Sequence, residues 1–361
     1  MKTFLTILFT IIISCVSHLF CMETAYSIQK PNAIVYAPWR ENYVNTQQKP
    51  KNFINQSCTL CNIINNKNNR ENLILHRGNY SLIMLASQPY ISNGIHFLVI
   101  PYEHKKELCN LSSSTYHEEN IFTQKLCGLF SSNAHQAYIN SNQGLAAGAS
   151  IPEHHHRHII INYAPNFYNF IEAIRETKKA IDLLSLYKEL QPQINCFQEL
   201  ILPQHNQTIC SQNCYYCSVI RQDTQQNLII YRGKQTTVMF SHYPTYLGEI
   251  DIIPNQHIEA VEMIPAETYE EINQLTVNIY PLILKIIDAQ DSNIGLISYG
   301  NKAKNKDHIV QKIIPRKDNW KKTPITQSNH VNGDIKKIYR KLLLEWHSLL
   351  NKNYEIQKAK L

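Results

Sequence analysis

Glu153-His154-His155-His156-Arg157-His158-Ile159-Ile160-Ile161 decides how the rest of the chain is read. The isoleucine run is β-branched and favours an extended backbone, in which alternate side chains share one face. His154, His156 and His158 then point one way, and His155 and Arg157 the other. A row of imidazoles on one face of a strand can attack phosphorus, hold a metal or do both. A His-rich surface loop is the alternative that the run alone leaves open.

The preceding stretch, Asn142-Gln143-Gly144-Leu145-Ala146-Ala147-Gly148-Ala149-Ser150, is built of small residues. Gly144 and Gly148 let backbone approach a ligand closely, while a serine hydroxyl and an asparagine amide can donate to phosphate oxygens. Asn-x-Gly, a small-residue turn, then His-x-His-x-His and apolar residues resemble the pattern of the histidine-triad superfamily of nucleotide hydrolases and nucleotidyltransferases. The resemblance implies that His156 is the nucleophile and that Asn142, Ser150 and His158 contact phosphate; backbone N–H groups around Gly148 to Ser150 are expected to join them. Ser150 stands four residues before His154, where many members have three. His155 and Arg157 depart from the apolar residues usual between the histidines.

The chain also repeats itself. Ser57-Cys58-Thr59-Leu60-Cys61-Asn62-Ile63 recurs as Asn213-Cys214-Tyr215-Tyr216-Cys217-Ser218-Val219, each followed by Asn-Leu-Ile and an Arg-Gly pair. Val99-Ile100-Pro101-Tyr102-Glu103-His104 recurs as Ile252-Ile253-Pro254-Asn255-Gln256-His257, and Thr115-Tyr116 as Thr268-Tyr269. Asn142-Gln143-Gly144-Leu145 matches Asn293-Ile294-Gly295-Leu296, and the histidine tract matches His308-Ile309-Val310-Gln311-Lys312-Ile313-Ile314. The second copy has Val310 in place of His156 and Lys312 in place of His158. Valine is neither nucleophile nor phosphate donor, so chemistry is expected in the first copy only.

Four residues of metal-binding type persist in both copies: Cys58, Cys61, His104 and His154, and then Cys214, Cys217, His257 and His308. A Cys-x-x-Cys turn with two histidines suits a tetrahedral structural zinc, so two zinc sites are expected; a redox pair or disulfide is the alternative for a Cys-x-x-Cys alone. The resemblance points the same way, because zinc-bearing members such as galactose-1-phosphate uridylyltransferase use two cysteines and two histidines in matching places.

The length of 361 residues allows two or three domains and an ample core, and a hydrophobic share of 43% marks a globular chain. A net charge of +7 suits an anionic substrate, yet the 35 lysines and arginines are scattered, with no recognition-helix pattern for nucleic acid. Lys2 followed by the apolar run from Phe4 to Ile13 reads as an export leader, either cleaved after Ser17 or lipidated at Cys15. Export puts a bare Cys-x-x-Cys at risk of oxidation unless zinc holds it as thiolates. Cys196 and Cys210 could pair across the linker.

The expected architecture is α+β: two tandem histidine-triad-like repeats, each an antiparallel sheet with helices, packed sheet to sheet as a pseudo-dimer. The expected boundaries are a leader at 1–25, a catalytic repeat at 50–165, a helical linker at 166–208, a degenerate repeat at 209–318 and a C-terminal amphipathic helix at 330–352. Strands are expected at 72–76, 81–85 and 97–100 and at 228–231, 237–240 and 250–253. A helix capped near Ser112 should run towards Ile139, and Pro281 should kink or end its counterpart, which opens at Pro265. Pro192 and Pro203 should bracket the linker.

The expected function is a nucleotide hydrolase or phosphorylase acting at the α-phosphate of a nucleoside polyphosphate or phosphoramidate through a nucleotidyl-histidine intermediate. Histidine at His158, where the uridylyltransferase branch has glutamine, favours this over a hexose-1-phosphate uridylyltransferase. The other alternative is a secreted zinc-binding scaffold with a vestigial triad. A small nucleotide is the expected partner, nucleic acid is not, and membrane contact is expected only through an N-terminal anchor. Oligomeric state stays open, because duplication could replace the dimer of single-copy relatives.

Overall fold

A computed structural model describes residues 58–91, 93–164, 182–195, 214–222, 228–242, 244, 246–303, 307–317 and 335–358. The leader, most of the linker with Cys196 and Cys210, and residues 330–334 lie outside the described residues.

Among the described residues, ten antiparallel strands form one sheet in the order β1-β2-β3-β5-β4-β9-β10-β8-β7-β6. The first five are β1 (Ile74–Arg77), β2 (Ser81–Leu85), β3 (Gly94–Pro101), β4 (Gln136–Gln143) and β5 (Arg157–Asn162). The second five are β6 (Ile229–Arg232), β7 (Thr236–Phe240), β8 (Ile250–Pro254), β9 (Asp291–Tyr299) and β10 (Gln311–Arg316). Helices α1 (Thr59–Asn65), α2 (Ser113–Phe130), α3 (Leu183–Asn195), α4 (Tyr215–Arg221), α5 (Ala266–Ile287) and α6 (Ile335–Lys358) complete it.

The two halves share local detail as well as order. Leu73 and Leu228 both take a left-handed backbone, φ 57° and 49°, immediately before β1 and β6. Both of those strands then shift register against their hairpin partners. Glu118 on α2 accepts hydrogen bonds from the Asn79 and Tyr80 N–H groups and the Ser81 hydroxyl, tying down the β1–β2 turn. Glu271 on α5 does the same for Gln235 and Thr236 at the β6–β7 turn.

The halves meet edge to edge rather than face to face: β4 pairs with β9 along its whole length, which corrects the expected sheet-to-sheet packing. The register also corrects one sequence match. His158 lies opposite Asn140, and Lys312 lies opposite Gly295, so the counterpart of Asn140 is Gly295. Asn293 is therefore not the equivalent of Asn142 but its cross-strand neighbour.

α2 packs on β2, β3 and β5, and α5 on β7, β8 and β10, covering one face of the sheet with a shared core that includes Ile83, Phe97, Ile159, Ile252 and Ile313. Each such fully buried side chain contributes about 1.5–3 kcal/mol. α1 and α4 cover the outer parts of the opposite face, through Leu60 on Leu82 and Ile100 and through Val219 on Met239 and Ile253. On α6, Leu342 and Trp346 are buried, Trp346 lying 5.5 Å from the Tyr231 ring.

Three local expectations differ from the structure. α2 is capped at Ser112, whose hydroxyl accepts from the Thr115 N–H, but ends at Phe130. The alternating burial of β4 replaces the helix expected to continue towards Ile139. α5 does not end at Pro281, one of the two outcomes expected there, but runs on to Ile287, with Asp288 in the left-handed region, and α3 likewise runs through Pro192. A proline inside a helix forfeits one backbone bond, which burial of Ile279, Tyr280 and Ile283 outweighs in α5.

Candidate active site and metal centres

β5 is held between β3 and β4, with His158 opposite Leu98 on one side and Asn140 on the other. His156 and His158 lie on the face away from α2, their ring centroids 4.9 Å apart, and both are buried. The His154 carbonyl accepts the His156 Nδ1–H at 3.0 Å. In the neutral ring the proton is thereby fixed on Nδ1, and Nε2 carries the lone pair.

His158 is set by a residue that the sequence reading passed over. The Tyr90 N–H donates to His96 Nδ1 at 3.1 Å, so His96 carries its proton on Nε2 and donates it to His158 Nδ1 at 3.0 Å. His158 is then protonated at Nε2, as a hydrogen-bond donor. Tyr90 stacks on His96 at 4.7 Å and steadies the pair. A histidine within the apolar strand 94–101 was the available signal, since a buried imidazole needs partners.

The other face of β5 explains the two departures from the usual pattern. Glu119, buried on α2, lies 3.2 Å from Arg157 and 3.3 Å from His155. Arg157 also donates to Asn120 and Thr123, and Gln143 bonds His155 Nδ1. Burial alone would raise the Glu119 pKa, but His155 and Arg157 outweigh it and hold the carboxyl below its ordinary range. A charged strand interior is thus packed as a buried polar network centred on the Glu119 Oε2 atom. A carboxylate in the stripe Thr115, Glu119, Phe122, Leu126 was its sequence trace.

The small-residue loop follows β4. Gly144 has φ +95°, and a side chain there would fall on the Asp291 carboxylate. Asp291 accepts the Ala146 N–H at 2.7 Å, and Gly148, at φ +85°, closes the loop through its N–H to Leu145. Asn142 Oδ1 accepts from Asn140 at 2.6 Å and from Asn293 at 2.7 Å. Ser150 is half-buried at the end of the loop.

Two Cys/His groups stand beside this framework. The ligand atoms of Cys58, Cys61, His104 and His154 lie within 4.8 Å of one another, as do those of Cys214, Cys217, His257 and His308. In the first group sulfur-to-nitrogen distances are 3.2 to 3.5 Å, and in the second 3.4 to 3.7 Å. A tetrahedral zinc with bonds of about 2.3 Å to sulfur and 2.0 Å to nitrogen requires roughly 3.5 Å. Both groups fit such an ion. His154 donates Nε2–H to the Pro101 carbonyl at 3.0 Å, which leaves Nδ1 facing the cysteines, and burial keeps the ring neutral. Burial, then Cys58, push the Cys61 thiol up to about 11, so a cation is needed to hold it as thiolate.

At the places of His156 and His158 the second half carries Val310 and Lys312. Val310 is packed among Val219, Met239 and Ile253. Lys312, in the place of His158, lies 2.8 Å from Glu249 and 2.7 Å from Asp251. By register Glu249 occupies the place of His96, so an ion cluster replaces the imidazole pair. Burial opposes the Lys312 charge, but Asp251 and Glu249 hold its pKa well above the ordinary lysine range.

No protein-family model matches the chain. Over 155 residues it is 30% identical to an AP-4-A phosphorylase of Mycobacterium tuberculosis, a match covering 42% of this chain and 77% of that relative. The chain belongs to the histidine-triad superfamily. Its fold is similar to that of a uridylyltransferase mutant, with a TM-score of 0.52 at 12% identity over 76% of this chain and 90% of the other. It is also similar to an ADP-glucose phosphorylase from Arabidopsis thaliana solved with bound ADP-glucose, with a TM-score of 0.50 at 13% identity over 73% and 82% of the two chains. Within this histidine-triad chain the structure brings together all eight expected metal-binding residues in two groups, and His156 and His158 in a third place.

Proposed function

We propose that the chain is a nucleotidyl-transfer enzyme, a phosphorylase or hydrolase acting at the α-phosphate of a nucleoside polyphosphate or phosphoramidate. The observation that carries this is the pair of fixed imidazoles, His156 with its lone pair on Nε2 and His158 with its proton there. His156 Nε2 attacks the α-phosphorus, the N–P bond forms, and the bond to the leaving oxygen or nitrogen breaks. Positive charge developing on the His156 ring is stabilised by the His154 carbonyl that accepts Nδ1–H. His158 Nε2–H, the Asn142 amide and the Ser150 hydroxyl then donate to the phosphoryl oxygens, while the Gly148 N–H, bonded to the Leu145 carbonyl, holds the loop in shape. In the second step phosphate or water displaces His156, and splitting the displacement lets the leaving group depart before the acceptor enters.

The two halves are read as tandem copies in which only the first keeps this chemistry, and both Cys/His groups as structural zinc sites. When bound, zinc would tie α1 and the chain before β5 together and α4 to the strand start at β10; it takes no part in the reaction. The Mycobacterium relative, named as a phosphorylase, supports phosphate as the acceptor. The leader reading extends the proposal to an exported or lipid-anchored enzyme.

Incubating the protein with diadenosine polyphosphates, nucleotide sugars and adenosine phosphoramidate, with and without phosphate, tests the reading. Phosphate should accelerate turnover and yield a nucleoside diphosphate, and water alone should yield the monophosphate. Turnover of none of these compounds, or turnover that survives His156→Ala, contradicts it.

A further inference from the structure

On the sheet face that carries His156, the loop 144–150 is held by residues of the half that has no nucleophile. Asn293 on β9 donates through Nδ2 to Asn142 Oδ1 at 2.7 Å and to the Ala147 carbonyl at 2.9 Å. Arg316 on β10, 1% exposed and stacked 3.7 Å from the Tyr246 ring, donates its Nε–H to Asn293 Oδ1 at 2.8 Å. A guanidinium can only donate, so it admits one orientation of the Asn293 amide, oxygen towards the arginine and nitrogen towards Asn142. That orientation in turn keeps Asn142 with its oxygen inward, where Asn140 also donates to it, and its amide nitrogen available as a donor. A flipped Asn142 would present oxygen to an anionic phosphoryl group and repel it. Asp291, also on β9, holds the Ala146 N–H and leaves no room for a side chain at Gly144.

We propose that Asn293 and Arg316 are positioning residues for the phosphate-binding loop of the first half, so that the half lacking a nucleophile serves the active site of the other. This role rests on the reading of Asn142 and loop 144–150 as the phosphate cradle. Neither residue touches the reacting atoms; they set which atom of Asn142 faces the phosphate.

Asn293→Asp keeps the size and the Arg316 contact but removes the donor to Asn142 and Ala147. Two measurements on the full-length protein decide the matter. Hydrogen exchange at Ala146, Gly148 and Ala149, without nucleotide, should speed up in Asn293→Asp and in Arg316→Lys. With a diadenosine polyphosphate, both variants should still load one nucleotidyl group per chain onto His156, but on the order of 10–100 times more slowly and with a raised KM. A merely structural role would instead lower the loaded fraction and leave KM unchanged. Wild-type exchange in both variants, or wild-type loading rates, overturns the proposal. If the wild-type protein loads no nucleotide, the enzyme reading fails on that result, and the loop coupling stands or falls on the exchange data.

Discussion

At the scale of single residues, charge placement on the two faces of β5 separates support from chemistry. Glu119→Gln should leave Arg157 without its carboxylate in a buried setting, costing about 3 kcal/mol at neutral pH by denaturant unfolding. Because the folded-state pKa of Glu119 lies below its ordinary value, the stability it supplies is present above the unfolded pKa. It is lost as pH falls through the folded value. The gap between wild type and variant should therefore narrow as pH falls below the ordinary glutamate range and close below the folded value; a gap that persists in strong acid would contradict the ion-pair account. The triad was legible in the sequence because its chemistry is tied to fixed local spacing, and the eight metal-type residues because their spacing also recurs in both halves. Glu119 and His96 were not, because they meet β5 through space from α2 and β3, and no local pattern encodes that meeting.

At the scale of elements, α1 shows why a metal is expected. It has seven residues with only Leu60 buried, and no side chain caps its N-terminus. A helix that short does not persist unaided, and one leucine supplies only about 2 kcal/mol. Metal bonds from Cys58 and Cys61 to the same ion as His104 and His154 would anchor it. Purified protein should carry two zinc ions per chain, Cys58→Ala should carry one, and chelation should lower the melting temperature by about 5–10 °C. Metal content well below two in fresh protein would count against both sites. The strand hairpins were readable from alternation and Arg-Gly turns, whereas β4 was hidden because its Asn and Gln residues, half-buried except for Gln143, mimic a polar helix end. The shifted match of Asn142 to Asn293 has the same origin: Asn-x-Gly recurs by composition, and only strand register reveals that the two asparagines face each other.

At the scale of the whole molecule, the β4–β9 seam makes one sheet of two halves. Gly295 sits in that seam opposite Asn140, and a Cβ there would lie 2.5 Å from the Ile139 carbonyl oxygen. Gly295→Val should cost about 1–3 kcal/mol and broaden or split the single unfolding transition expected of the wild type; an unchanged transition would contradict a tight seam. That seam could not be read from sequence, because pairing of distant edges depends on which strands lie outermost in each half. Its consequence is an asymmetric pair: the first half with two buried imidazoles on the face away from α2, the second with the Lys312 ion cluster in the place of His158. The most direct test of this asymmetry is the intact mass and peptide map of protein quenched during turnover of a diadenosine polyphosphate. One nucleotidyl group per chain, on His156, is the predicted result. No covalent nucleotide, more than one per chain, or a label that persists in His156→Ala would contradict it.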